Sequence, residues 1–135
     1  MSKIALGTVQ FGTDYGVNSV DGQVRPEEVK KILSYGRSKN IDLLDAAPAY
    51  GNSEKILGRM DISNFKVVTK TRHFDNTEIK NNDVKLLNND FHHSLKDLKQ
   101  DSVYGVLIHN ADDLLKPGAE KLFDKLQELK QAEKI

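Results

Sequence analysis

The chain has no cysteine and no tryptophan, only three prolines among its 135 residues, and no excess of charge of either sign. Each absence removes a class of protein. Without cysteine there is no disulfide, no thiolate nucleophile and no cysteine-based metal site. Twenty basic side chains against twenty acidic ones leave no net field to steer a nucleic acid or an anionic membrane, so neither is an expected partner. The longest apolar runs have about six residues, far short of the roughly 20 that cross a bilayer as a helix. Met1-Ser-Lys-Ile-Ala5 has no signal-peptide core, and a cytoplasmic location is the expectation.

What remains is an ordinary globular composition, 38% hydrophobic and 30% charged. No shift in composition divides the chain, so residues 1–135 are expected to form one unit with its own core. Ile4 to Leu6 reads as a short buried strand entering a Gly-rich loop at Gly7, Thr8 and Gly12 to Gly22. Pro26-Glu27-Glu28 suits a first helical turn, and Val29, Ile32, Leu33 and Gly36 carry one face of a helix to about Asn40. Ile41 to Leu44 is a second strand, followed by a helix capped by Asn52 or Ser53, bearing Ile56 and Leu57 and weakened at Gly58. Phe65 to Thr69 is a third strand and Thr71 to Thr77 a loop. Val84, Leu87, Phe91, Leu95 and Leu98 form one stripe of a long helix between Ile79 and Gln100. Val103 to Ile108 is a fourth strand. Asp112-Asp113 introduces a last helix opened by Pro117, with Leu122, Phe123, Leu126 and Leu129 on its buried face.

Four strand-then-helix units in succession predict an α/β fold with parallel strands and right-handed helical crossovers. Strands apolar on both sides need cover on both faces or closure into a barrel, and four units close less well than eight. In such folds the residues just beyond strand C-termini converge on one rim. Here those residues are Asp45, Tyr50, Lys70 and His109. A free phenol titrates near about 10 and needs a nearby cation to release its proton at neutrality. Lys70 supplies the cation, Asp45 holds the ammonium, and His109 can hydrogen-bond a carbonyl oxygen. The group protonates a carbonyl but contains no hydride donor, so reduction requires a nicotinamide cofactor.

The stretch Ile41-Asp-Leu-Leu-Asp-Ala-Ala-Pro-Ala-Tyr-Gly-Asn-Ser-Glu54 followed by Leu57-Gly58-Arg59 resembles the aldo-keto reductase family, in which Asp and Tyr stand five apart in a D-x-A-x-x-Y-G-x-x-E pattern. Leu6-Gly-Thr-Val-Gln-Phe-Gly12, Val67-Val-Thr-Lys70, Ser94-Leu-Lys-Asp-Leu98 and Val106-Leu-Ile-His-Asn110 extend the resemblance across the chain. It implies that Asp45, Tyr50, Lys70 and His109 are the catalytic tetrad, with Tyr50 the general acid that reduces an aldehyde or ketone to an alcohol. It places Gly7, Thr8 and Asp45 near the nicotinamide ribose, and implies NADP(H), sometimes NAD(H), as cofactor. It also implies about four of the eight units of a TIM-barrel-like (β/α)₈ fold. Family residues that stack on the nicotinamide and grip its phosphates come mainly from later strands, so the resemblance implies little NADPH binding by these 135 residues alone.

A different class of function is a half-barrel assembly module, inactive alone, that buries its open strand edges against a second copy or a partner half. A metal hydrolase using Asp90, His92, His93 and His109 fits poorly, because adjacent helix residues point about 100° apart. No metal site is expected. No Walker-type loop occurs, and the glycines after the first strand lack G-x-G-x-x-G spacing.

Overall fold

The computed structural model describes residues 4–16 and 22–135; the part of the expected Gly-rich loop at 17–21 lies outside them. Four parallel strands lie in the order of the chain: β1 (Leu6–Gly7), β2 (Leu43–Asp45), β3 (Lys66–Lys70) and β4 (Gly105–Leu107). Leu44 stands opposite Leu6 and Val67, and Val68 opposite Gly105. Sequential parallel strands joined by right-handed crossovers place their helices on one side of the sheet. These helices are α2 (Pro26–Ser38), α3 (Ser53–Leu57), α4 (Asn81–Leu98) and α5 (Glu120–Gln131).

The one-sided cover is written in the strands. Leu44, Val67 and Thr69 are buried, while Leu43, Asp45, Lys66, Val68 and Lys70 are half-buried. The helix side is therefore packed and the opposite side is more open. Of the two arrangements expected for such strands, cover on both faces or part of a barrel with outer helices, the sheet follows the second. The first strand departs too: it is Leu6–Gly7, and Ile4 is 65% exposed because β1 is an edge with one neighbour.

The helical stripes follow the predicted spacing. Val29, Leu33 and Gly36 of α2 are buried, and Pro26 opens it with Glu27 and Glu28 in the first turn. In α4 the buried residues include Leu87, Phe91, Leu95 and Leu98. Its start is fixed by Asp83, whose carboxylate accepts from the Lys80 backbone N–H at 2.8 Å. The core unites these stripes with Leu57, Phe65, Ile79 and Leu122.

Five local expectations are revised. Val9–Gly12 forms a helical turn, α1, inside the expected loop. Gly58 ends α3 for a packing reason: a Cβ there would lie 1.9 Å from the Asp97 carbonyl oxygen, so only glycine lets α3 approach α4 this closely. Pro117 does not open the last helix. Its carbonyl accepts from the Ile79 N–H at 2.8 Å, Gly118 turns the chain at φ +83°, and α5 begins at Glu120. Phe123 is 58% exposed on α5 and does not share the buried face of Leu122 and Leu129. Finally, Asp113 does more than favour a helix start. It sits fully buried in a 3₁₀ turn, Ala111–Leu115, and pairs with Lys116 at 2.7 Å, while Lys116 also donates to the Phe74 carbonyl.

Candidate active site

Three of the four expected residues reach the rim because their strands end there. Asp45 closes β2, Lys70 closes β3, and His109 lies two residues past β4. The backbone N–H of His109 donates to the Thr71 hydroxyl at 3.1 Å, which ties the loop after β4 to the loop after β3. Tyr50 sits in a turn after β2, with its N–H bonded to the Ala47 carbonyl at 3.0 Å and its carbonyl to the Ser53 N–H at 3.1 Å.

That turn is clasped from below. Gly12 presses on it so closely that a Cβ would lie 1.8 Å from the Tyr50 carbonyl oxygen and 2.3 Å from the Ser53 nitrogen. Gly51 answers from the other side at φ +58°, where a Cβ would meet the Gly12 carbonyl oxygen at 2.4 Å. Beneath it, the fully buried Thr8 hydroxyl donates to the Asp45 carbonyl at 3.0 Å, and the Ser53 hydroxyl donates to the Thr8 carbonyl at 2.8 Å.

The side chains converge. The Lys70 ammonium is ion-paired with the Asp45 carboxylate, donates to the Ala46 carbonyl at 3.0 Å, and stands 4.8 Å from the centroid of the Tyr50 ring. The Tyr50 and His109 rings meet edge to face, 6.2 Å apart. Lys70 keeps 12% of its side chain exposed and Asp45 38%, so the pair is shielded at the ammonium and open at the carboxylate. Burial pushes the His109 imidazole below its ordinary range, and the neighbouring His73 and Lys70 push it the same way. Its Nδ1 is buried without a partner. A proton arriving there would be both desolvated and repelled, so His109 stands neutral at pH 7.

One layer deeper, the buried Glu54 carboxylate accepts from the Thr69 hydroxyl at 2.6 Å. Burial raises its pKa above the ordinary carboxylate value, and the Thr69 hydrogen bond only partly opposes this. The folded chain thus keeps a proton that the unfolded chain has released. Stability from this group is complete below the ordinary carboxylate range and falls as pH rises through the raised value. Urea unfolding of Glu54→Gln at a series of pH values should show that decline flattened.

The rim fits one end of a nicotinamide cofactor. A methyl group on Gly7 would meet nothing within 4 Å, so space opens at the end of β1 beside Asp45, its register partner. Asp45, with a half-open carboxylate, can accept from a ribose hydroxyl; Thr8 lies beneath and supports it through the backbone. Among the described residues, two cations near the tetrad are already paired, Lys70 to Asp45 and Arg72 to Asp90 at 2.5 and 3.1 Å, and neither is left over for a pyrophosphate.

Of the histidines in the metal alternative, His109 lies on this rim and His92 and His93 are not brought to it. On exposed parts of α4, His92 Nδ1 lies 2.8 Å from the Asn88 carbonyl oxygen and His93 3.5 Å from Asp97. Sequence reasoning missed Gly12 and Gly51 as the clasp on Tyr50, and His73, whose ring lies 4.6 Å from that of His109. The Tyr50-Gly51 pair held a signal for the first, since a glycine beside a site tyrosine marks close backbone approach. Among the described residues no helix is long and apolar enough to cross a membrane.

The family model described as "Aldo/keto reductase family" matches residues 3–135. Two solved structures from Pseudomonas aeruginosa, each assigned as an aldo-keto reductase, resemble the chain. One is 29% identical, with a TM-score of 0.78 over 97% of this chain and 52% of its own. The other is 27% identical, with a TM-score of 0.73 over 95% of this chain and 49% of its own. An aldose reductase from Giardia lamblia shares the fold at 16% identity, with a TM-score of 0.58 over 82% of this chain and 44% of its own. No curated protein matches the chain. It spans about half the length of the solved structures to which it is similar.

Proposed function

The chain belongs to the aldo-keto reductase family, and from that premise we propose that its rim is the proton-transfer half of a site that reduces an aldehyde or ketone with NADPH. The observation that carries the reading is the Lys70 ammonium, held by Asp45 against the face of Tyr50 with His109 edge-on. When bound, the nicotinamide supplies the hydride to the carbonyl carbon. The chain's own residues handle the oxygen. Tyr50 gives its proton to the carbonyl oxygen as negative charge grows there, and the nearby ammonium of Lys70 stabilises the charge left on the phenol. Asp45 keeps that ammonium in place and offers its open oxygen to the ribose. His109, neutral, donates a hydrogen bond to the same carbonyl oxygen and fixes its direction.

The pyrophosphate and adenosine sites belong, in this reading, to further strands that complete the barrel. The 135 residues alone should therefore bind NADPH no more tightly than millimolar in calorimetry. The assembled protein should oxidise NADPH in the presence of a simple aldehyde. Micromolar binding by the 135 residues would refute the divided cofactor site, and an assembled barrel without any carbonyl-dependent oxidation would refute the reductase reading. A cytoplasmic setting is part of the proposal, because a reductase of this kind works where the nicotinamide pool is.

The open edges favour a second reading, a half-barrel module that closes against another copy. β1 and β4 each have one neighbour, and Leu107 on β4 is 52% exposed. All strands point one way, so two copies related by a two-fold axis along the barrel would pair β4 of each with β1 of the other and bring both tetrads to one rim. Light scattering should then report twice the chain mass; a monomer at every concentration would remove this reading.

A further inference from the structure

We propose that His73 is a positioning residue for His109: its ring covers one side of the His109 imidazole and holds that ring with its single proton on Nε2, the nitrogen offered to a substrate carbonyl. The purpose of this arrangement rests on the reductase reading; its substance rests on geometry. The two rings lie 4.6 Å apart, tilted by 45°. His73 stands two residues beyond Thr71, whose hydroxyl accepts the His109 backbone N–H at 3.1 Å, so one loop anchors both the backbone and the ring of His109. The Nδ1 of the same imidazole is buried with no partner.

The other charged and titratable groups facing the ring are Lys70 from β3, Asp45 from β2 and Tyr50 from the turn after β2. Lys70 and Asp45 are paired with each other and largely cancel. A proton on Nδ1 would be a buried donor without an acceptor, beside a second imidazole able to carry the same charge. The His73 ring is exposed and the His109 Nδ1 is buried, so of the two imidazoles it is His109 that loses water when a charge is placed on it. His109 keeps one proton, and Nε2 is the place where it can reach an acceptor. Burial and the His73 neighbour act on His109 in the same downward direction.

The consequence for chemistry is a division of labour. A neutral imidazole polarises the carbonyl by hydrogen bonding and leaves proton delivery to Tyr50. An imidazolium in that place would be the stronger acid and would compete for the transfer.

The test is a histidine-ring NMR titration of the 135-residue chain, which needs neither cofactor nor turnover, with the His109 signals assigned through His109→Gln. His73→Phe keeps a ring in contact but removes the second charge. His73→Ala also opens Nδ1 to water. His109 should titrate at higher pH in both variants and move further in His73→Ala, and ring nitrogen shifts in the unmodified chain should show the proton on Nε2. Identical titration in all three chains, or a proton on Nδ1, would overturn the proposal. If the assembled protein shows no carbonyl-dependent oxidation of NADPH, the reductase reading fails, while the coupling of the two imidazoles still stands or falls on the NMR result.

Discussion

Replacing Tyr50 with phenylalanine in the assembled protein should slow carbonyl reduction by about 10²–10⁴-fold, the usual worth of a positioned general acid. The substitution removes one oxygen and leaves the ring, so the edge contact with His109 and the approach of the Lys70 ammonium remain available to it. Tyr50 lies half-buried in a turn held by backbone bonds to Ala47 and Ser53. No core cavity opens, and thermal unfolding should be nearly unchanged. The loss should fall on kcat, with KM for the carbonyl close to that of the parent, because the proton is needed in the transition state more than in binding. Steady-state kinetics with an aldehyde decide the matter: a variant within a few-fold of the parent would mean that another group delivers the proton.

The second large effect is structural. Gly12→Ala should destabilise the fold by about 3 kcal/mol or more, because the added methyl runs into backbone and not into the yielding tip of a side chain. It would stand 1.8 Å from the Tyr50 carbonyl oxygen. Either α1 or the Tyr50 turn must retreat, and retreat of the turn carries the Tyr50 ring away from Lys70 and His109. Gly58→Ala provides the comparison. Its methyl collides with the Asp97 carbonyl oxygen, between α3 and α4 and away from the tetrad. Urea titration should show both variants weakened, while only Gly12→Ala should lose more activity than its remaining folded fraction explains. Equal losses of activity and folded fraction in both would mean that the clasp does not set the position of Tyr50.

The meeting of Asp45, Tyr50, Lys70 and His109 was legible because each follows an apolar run, and such runs declare strand ends without help from distant sequence. The stripe of α4 was legible for the same reason, since Leu87, Phe91, Leu95 and Leu98 repeat with the helical period. The illegible parts depend on segments that meet only after folding. Gly12 is a loop glycine until Tyr50, some forty residues on, comes to rest against it. Pro117 reads as a helix opener until the Ile79 N–H binds its carbonyl and Gly118 takes a positive φ. Glu54 sits in a sequence position that suits an exposed first helical turn, and only the arrival of Thr69 from β3 shows it to be buried and bonded. His73 carries no motif at all; its importance exists only as a distance to His109.

The open side of the sheet has one more effect. Asp45 and Lys70 meet on that side, where water still reaches the carboxylate. In bulk water two unit charges about 4 Å apart attract by roughly 1 kcal/mol, and near a protein surface by about 4 kcal/mol. Whatever wall comes to stand opposite this sheet therefore changes the medium in which the pair acts, as well as the shape around it. The four side chains can be in place in the lone chain, and yet the Asp45–Lys70 pair gains its full electrostatic effect on Tyr50 only when the water leaves.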